Sequence, residues 1–268
     1  MLFRSLFSLE RNWNGPLATN TAVTTTLQQF AALDSAATPA VQQNWRFQQA
    51  QYRAHYDAYV RARLLYETAL EQQAMDRLRT ASELGSLRAI QQAEEILERA
   101  LTHRTAPQWR ARTFELAEAL FQSIHMQLSV PYYGAIATGR GANLDLIDTP
   151  LNNRPWLTTQ FERIRKLDDE KERLAALGEI LEWTNPGPGG FYDNLGDPAA
   201  SPHLVRPANP SLESRNAPLT GFADITNPMT RTWRYSWMNH AETLWDQDLT
   251  LRYTGLDPAR SEERRVGK

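Results

Sequence analysis

The sequence predicts a mainly α fold, a multi-helix bundle with one long central helix, followed by an irregular Pro/Gly-rich segment and then the first strands of a truncated β domain. Apolar residues recur at three- and four-residue spacing from about residue 20 to residue 183. After Pro39 the chain runs to about Arg79 without Pro or Gly, which is the central helix. Beyond Trp183, Gly, Pro and aromatic residues dominate, and the apolar period changes from helical to two.

The first helix is expected from Thr21 to Ala36, before Thr38-Pro39, where Thr38 can cap the next helix and Pro39 suits its first turn. Forty helical residues at ~1.5 Å each make a rod of ~60 Å, so the segment that follows is a spine or bends once. Val41, Trp45, Tyr52, Tyr56, Tyr59, Tyr66 and Leu70 supply its apolar spacing. Ala50, Ala54, Ala58, Ala62 and Ala69 mark a flatter surface that a second helix can approach closely. Arg53, Asp57 and Arg61 form a polar ladder at four-residue intervals, and Arg63 with Glu67 makes a second such pair. The tyrosines read as core residues whose hydroxyls reach the rim, with a ligand-stacking box as the alternative.

A third helix follows Gly85, with Leu87, Ile90, Ala93, Ile96, Leu97 and Leu101 as its apolar set. A fourth begins near Ala106-Pro107 and is expected to reach about Ser129, turning Leu116, Leu120, Phe121, Ile124 and Leu128 inward. His125 shares that face and reads as a hydrogen-bonded core residue rather than a catalyst. Pro131, Gly134, Gly139, Gly141 and Pro150 interrupt the pattern between Val130 and Asn153. Two more helices fit Pro155 to Lys166 and Asp168 to Trp183, the second capped by Asp168 and presenting Leu174, Leu177, Ile180 and Leu181.

The helical domain therefore spans residues 6–183, a loop-rich segment 184–230, and the start of a β domain 231–259. In the last of these, Trp233, Tyr235 and Trp237 alternate with polar residues, as do Leu249, Leu251 and Tyr253, so both stretches read as strands. The second ends in Thr254-Gly255-Leu256-Asp257-Pro258, a turn expected to feed a returning strand. Residues 1–5 and 260–268 resemble translated sequencing adapter and are set aside, so the chain is expected to be an interior piece of a larger protein lacking that returning strand. These two ends carry five basic and two acidic residues, so the remainder has a charge of −5 against −2 for the whole chain.

An acidic chain without a run of Lys or Arg offers no footprint for nucleic acid, and no stretch has the length of a membrane span. The absence of cysteine excludes disulfides and thiolate chemistry.

Chemistry has four candidate locations. Gly139-Arg140-Gly141, followed by Asn143, Asp145 and Asp148, lets backbone approach a ligand, and Arg140 can pair with a carboxylate or a hydroxyl-rich substrate. The competing reading is a structural turn whose Asp and Asn cap nearby backbone. In Phe191-Tyr192-Asp193-Asn194-Leu195-Gly196-Asp197, the residues Asp193, Asn194 and Asp197 supply oxygens, but not at the spacing of a helical-hand calcium loop, so no metal or cofactor is assigned. His240 and Glu242, with Asp246 and Asp248, form a carboxylate-rich group beside the aromatic strand whose separation the sequence does not give. Trp233, Tyr235 and Trp237 project from one side of a strand, where flat rings either stack on the apolar faces of sugars or seal a helix-to-sheet interface.

The motifs Asn44-Trp45-Arg46-Phe47-Gln48, Gly139-Arg140-Gly141-Ala142-Asn143-Leu144-Asp145, Gly187-Pro188-Gly189-Gly190-Phe191-Tyr192-Asp193 and Arg252-Tyr253-Thr254-Gly255-Leu256-Asp257-Pro258 together resemble an uncharacterised group of large bacterial proteins. In that group a helical region precedes a β-sandwich similar to accessory domains of carbohydrate-active enzymes. The resemblance implies a truncated β-sandwich after the helices, an association with polysaccharide breakdown, a polysaccharide or oligosaccharide partner, further domains on the same chain, and a secreted or periplasmic location. It carries over no catalytic residues. Three roles follow as expectations: an accessory domain that binds or positions glycan through Trp233, Tyr235, Trp237, Arg140, Asp145, Tyr192, Asp193, His240 and Glu242; a structural spacer between domains; or a glycoside hydrolase or lyase domain.

Overall fold

A computed structural model describes residues 21–103, 105–138, 141–193, 202–205, 219–222, 231–232, 234, 239–242 and 248–255. The chain is mainly helical and forms a bundle around one long helix, as its apolar spacing requires. In chain order the helices are α1 (Ala22–Ala36), α2 (Pro39–Gln42), α3 (Trp45–Arg79), α4 (Ala81–Leu84), α5 (Ser86–Thr102), α6 (Pro107–Ile124), α7 (Val130–Tyr133), α8 (Arg154–Ile164) and α9 (Glu170–Leu181), with a 3-10 turn at Asn143–Leu146.

The spine starts later than the Pro-free run suggests. Thr38 and Pro39 begin only the four-residue α2, and α3 restarts at Trp45 behind Asn44, whose backbone is extended and whose Oδ1 accepts the Arg46 N–H at 3.0 Å. Val41 is consequently exposed rather than inward-facing. The 35 residues of α3 still make a rod of about 50 Å.

Two cores lie one after the other along this rod. On its first half Tyr52, Tyr56, Tyr59, Val60 and Leu64 pack against Leu116, Ala117 and Leu120 of α6 and against Leu144, Ile147 and Leu151 from the loop after α7. On its second half Leu70, Ala74, Met75 and Leu78 meet Ile90, Ala93 and Leu97 of α5, Leu157, Phe161 and Ile164 of α8, and Leu177 and Ile180 of α9. The small side chains at Ala54 and Ala58 admit α1, which inserts Val23 and Leu27; Ala69, on the same expected stripe, is exposed.

Other helix faces differ from the periodicity where helices end. Leu87 and Leu101 are exposed at the two ends of α5, because the core contacts only its middle turns and takes Ala89 as well. The fourth helix stops at Ile124, not near Ser129: His125 adopts a left-handed conformation (φ 54°), and the Met126 N–H reaches back to the Leu120 carbonyl at 3.4 Å. His125 is therefore an exposed helix cap, Ile124 faces outward, and Leu128 reaches the first core from the loop. The last helix is capped by Asp169, whose carboxylate accepts the Glu172 N–H, rather than by Asp168.

After α9 the described residues contain one antiparallel strand pair, β1 (Leu219–Phe222) with β2 (Asn239–Glu242), in register Leu219↔Glu242 to Phe222↔Asn239. The expected strand at Trp233, Tyr235 and Trp237 lies outside the described residues. The alternation at Leu249, Leu251 and Tyr253 holds, since these three are half-buried while Thr250 and Arg252 are exposed. Its pairing differs from the expected one. Leu251 forms an antiparallel bridge with Leu204, an upstream partner, through Val205 N–H to Thr250 O and Arg252 N–H to His203 O, both 2.9 Å.

Candidate functional site

The loop 141–153 contains Asp145 and the other acceptors of the first candidate group, and the bundle engages them. Asp145 accepts from the Ser129 hydroxyl at 2.6 Å and from the Val130 N–H at 2.8 Å, capping α7. Asn143 accepts the Tyr52 hydroxyl on its side chain and the Tyr56 hydroxyl on its carbonyl. Asp148 accepts the Tyr59 hydroxyl at 2.8 Å and a two-nitrogen grip from Arg110. Burial pushes the Tyr52 hydroxyl well above the ordinary phenol range, and burial plus the Asp148 bond pushes Tyr59 up to about 12, so both remain proton donors at neutral pH.

Beneath the loop, Arg63 donates to the Ile147 and Thr149 carbonyls and pairs with Glu67, which is 3% exposed and accepts the Leu151 N–H at 2.7 Å. Glu71 accepts both the backbone N–H and the side-chain amide of Asn153. These acceptors hold the loop to α3. Arg140, the cation of this candidate group, lies outside the described residues.

A second polar loop follows the Pro/Gly turn after α9, and its Asp193 gathers side chains from other parts of the chain. The carboxylate, almost fully buried, accepts His203 Nδ1–H at 2.9 Å and the Tyr253 hydroxyl at 2.8 Å. Three rings surround it: Phe191 lies 4.7 Å from His203 and 5.1 Å from Tyr253, and the His203 and Tyr253 rings are 4.5 Å apart. Phe191 is exposed, while His203 and Tyr253 are half-buried. Burial and then the bond to Asp193 push the Tyr253 hydroxyl up to about 12, so it stays a donor. With Nδ1–H directed at Asp193, Nε2 is the ring nitrogen left for another partner.

Tyr192 turns the other way and meets Trp183 edge-on at 5.3 Å. There Arg234 stacks over Trp183 at 4.5 Å and Trp156 at 5.4 Å, donates to the Ile180 carbonyl at 3.0 Å and faces Glu71 at 3.8 Å. Burial lowers the Arg234 pKa, and the Glu71 charge opposes that shift. Its neighbours Trp233, Tyr235 and Trp237 lie outside the described residues. His240 and Glu242 stand in β2 opposite Gly221 and Leu219.

Of the candidates drawn from sequence, the structure thus gives Asp145 a capping role, places Tyr192 against the helical body and puts Asp193 at the centre of a cluster. His203, Tyr253 and Arg234 were not singled out as site residues. The short apolar run Pro202-His203-Leu204-Val205 was a usable signal, since it offers a partner for the alternation at Leu249 to Tyr253.

No family model, curated protein or solved structure matches the chain. Among the described residues no group of three or more His, Asp or Glu side chains is arranged to hold a metal ion, and no helix is long and apolar enough to cross a membrane.

Proposed function

We propose that this chain is an accessory domain of a carbohydrate-active protein, in which a helical scaffold carries a glycan-facing surface that binds or positions substrate without complete catalytic machinery. The observation that carries the reading is the cluster of Phe191, His203 and Tyr253 around Asp193. Sugar recognition uses an aromatic face against C–H groups beside polar atoms that meet hydroxyls, and this cluster supplies both at the surface. In this reading the bridged strands and the β1–β2 pair begin the β-sandwich that the resemblance implies.

The test is calorimetric titration of the whole chain with soluble oligosaccharides. Binding by the parent, weakened roughly tenfold or more in Phe191→Ala, is the expected result, corresponding to about 1.4 kcal/mol of lost ring contact. Absence of binding across neutral and acidic glycans removes the reading.

A second reading, a structural spacer, is favoured by a different observation: the acceptors of loop 141–153 are directed at the chain's own helices, and Arg234 clamps the C-terminal segment to the bundle. A spacer predicts that Phe191→Ala and Arg234→Ala alter stability while no glycan binds either the parent or the variants.

A further inference from the structure

The glycan reading leaves open which residue selects the sugar, and the arrangement around Asp193 addresses that. Resting on that reading, we infer that His203 is its polar anchor: Nε2 of a fixed imidazole tautomer accepts a hydroxyl hydrogen bond from a neutral glycan whose C–H face lies on Phe191.

Three observations converge on His203. The buried Asp193 carboxylate spans Nδ1 with both oxygens, at 2.9 and 3.0 Å, which fixes the ring plane and places the proton on Nδ1. Among the described residues Nε2 makes no hydrogen bond, and the His203 side chain is 22% exposed. Phe191 stands nearly perpendicular to the imidazole, at 74°, with its centroid 4.7 Å away. A flat apolar face and a fixed acceptor therefore lie within the width of one sugar ring.

The same geometry selects for charge. An acceptor nitrogen has no hydrogen to give a carboxylate, and the chain carries a net charge of −2. Sugar hydroxyls donate readily to such an acceptor, and a neutral hexose or pentose chain meets both requirements.

The experiment titrates the whole chain with cellopentaose, xylopentaose, mannopentaose and pentagalacturonate, in the parent and in His203→Phe, His203→Gln and Asp193→Asn. Phe at position 203 keeps the ring packing and removes the acceptor, whereas Gln can restore an acceptor oxygen. At least one neutral pentaose should bind more tightly than pentagalacturonate, His203→Phe should weaken it about tenfold, and His203→Gln should recover part of the loss. Asp193→Asn, which frees the tautomer, should weaken binding several-fold and move the His203 imidazole nitrogen resonances in the ligand-free chain.

If the parent binds a pentaose and His203→Phe binds it equally well, the anchor assignment is overturned while the glycan reading stands. Preference for pentagalacturonate overturns the inferred ligand class. If no glycan binds the parent, both fall. Should His203→Phe fail to fold, the Asp193→Asn affinity together with the imidazole resonances decides the matter.

Discussion

The loops 141–153 and 187–193 share Gly, Pro and Asp, yet they end in opposite arrangements. In the first, Asn143, Asp145 and Asp148 accept from Tyr52, Ser129, Tyr59 and Arg110, so the loop's polar side chains bind it to the helices. In the second, Asp193 draws His203 and Tyr253 from distant parts of the chain and leaves Phe191 exposed. Loop composition alone does not separate a structural loop from a recognition loop; what separates them is whether the bundle consumes the acceptors.

The largest break in this contrast should come from Glu67→Ala. It removes the carboxylate partner of the mostly buried Arg63 guanidinium and frees the Leu151 N–H, and breaking such a pair costs about 3 kcal/mol. Urea denaturation should show this loss, with limited proteolysis turning to loop 141–153 before the Asp193 cluster.

Acid should separate the scaffold from its loop. Burial raises Asp57 from 3.8 to about 6 against the opposing charge and hydrogen bond of Arg53. A folded pKa above the unfolded one means that its contribution is fully present below pH ~4 and is lost as pH rises through about 6. Stability should therefore fall over that interval by no more than about 3 kcal/mol, and Asp57→Asn should flatten the profile of midpoint against pH. Asp148 has the opposite sign. Burial pushes its pKa up, but the hydrogen bonds of Arg110 and Tyr59 outweigh burial and leave it lowered, so its contribution is lost as acid protonates it. Asp148→Asn should remove stability at neutral pH and little in strong acid.

A smaller effect, about 2 kcal/mol, is expected for Arg234→Ala, which removes two ring contacts and the bond to the Ile180 carbonyl. Tryptophan emission should shift as Trp183 and Trp156 become solvated. The smallest, about 1 kcal/mol, belongs to Tyr253→Phe, which deletes one donor to Asp193 and keeps the ring. Its thermal midpoint should fall slightly, while the loop 141–153 keeps its proteolytic resistance.

Much of the bundle was legible because burial on a helix leaves a periodic mark. The burial of Tyr52, Tyr56 and Tyr59 with hydroxyls at the rim, the end of α3 at Arg79 and the inward Ile90, Ala93 and Leu97 all follow from spacing. Spacing fails at helix ends, where capping decides: Asn44 splits α2 from α3, and the left-handed His125 stops α6 before Leu128 despite an unbroken apolar pattern. Of the candidate cluster, only Asp193 was legible as a site residue. Asp193, His203 and Tyr253 are brought together by the bridge between Leu204 and Leu251, a pairing across 47 positions that local pattern does not encode.

The unbroken run of α3 past both cores has a mechanical consequence. No hinge separates the aromatic core at Tyr52 to Leu64 from the aliphatic core at Leu70 to Leu78, so neither can open without fraying the strut they share. Amides midway along that strut should be among the slowest in the chain to exchange with deuterium, and should do so at a common rate.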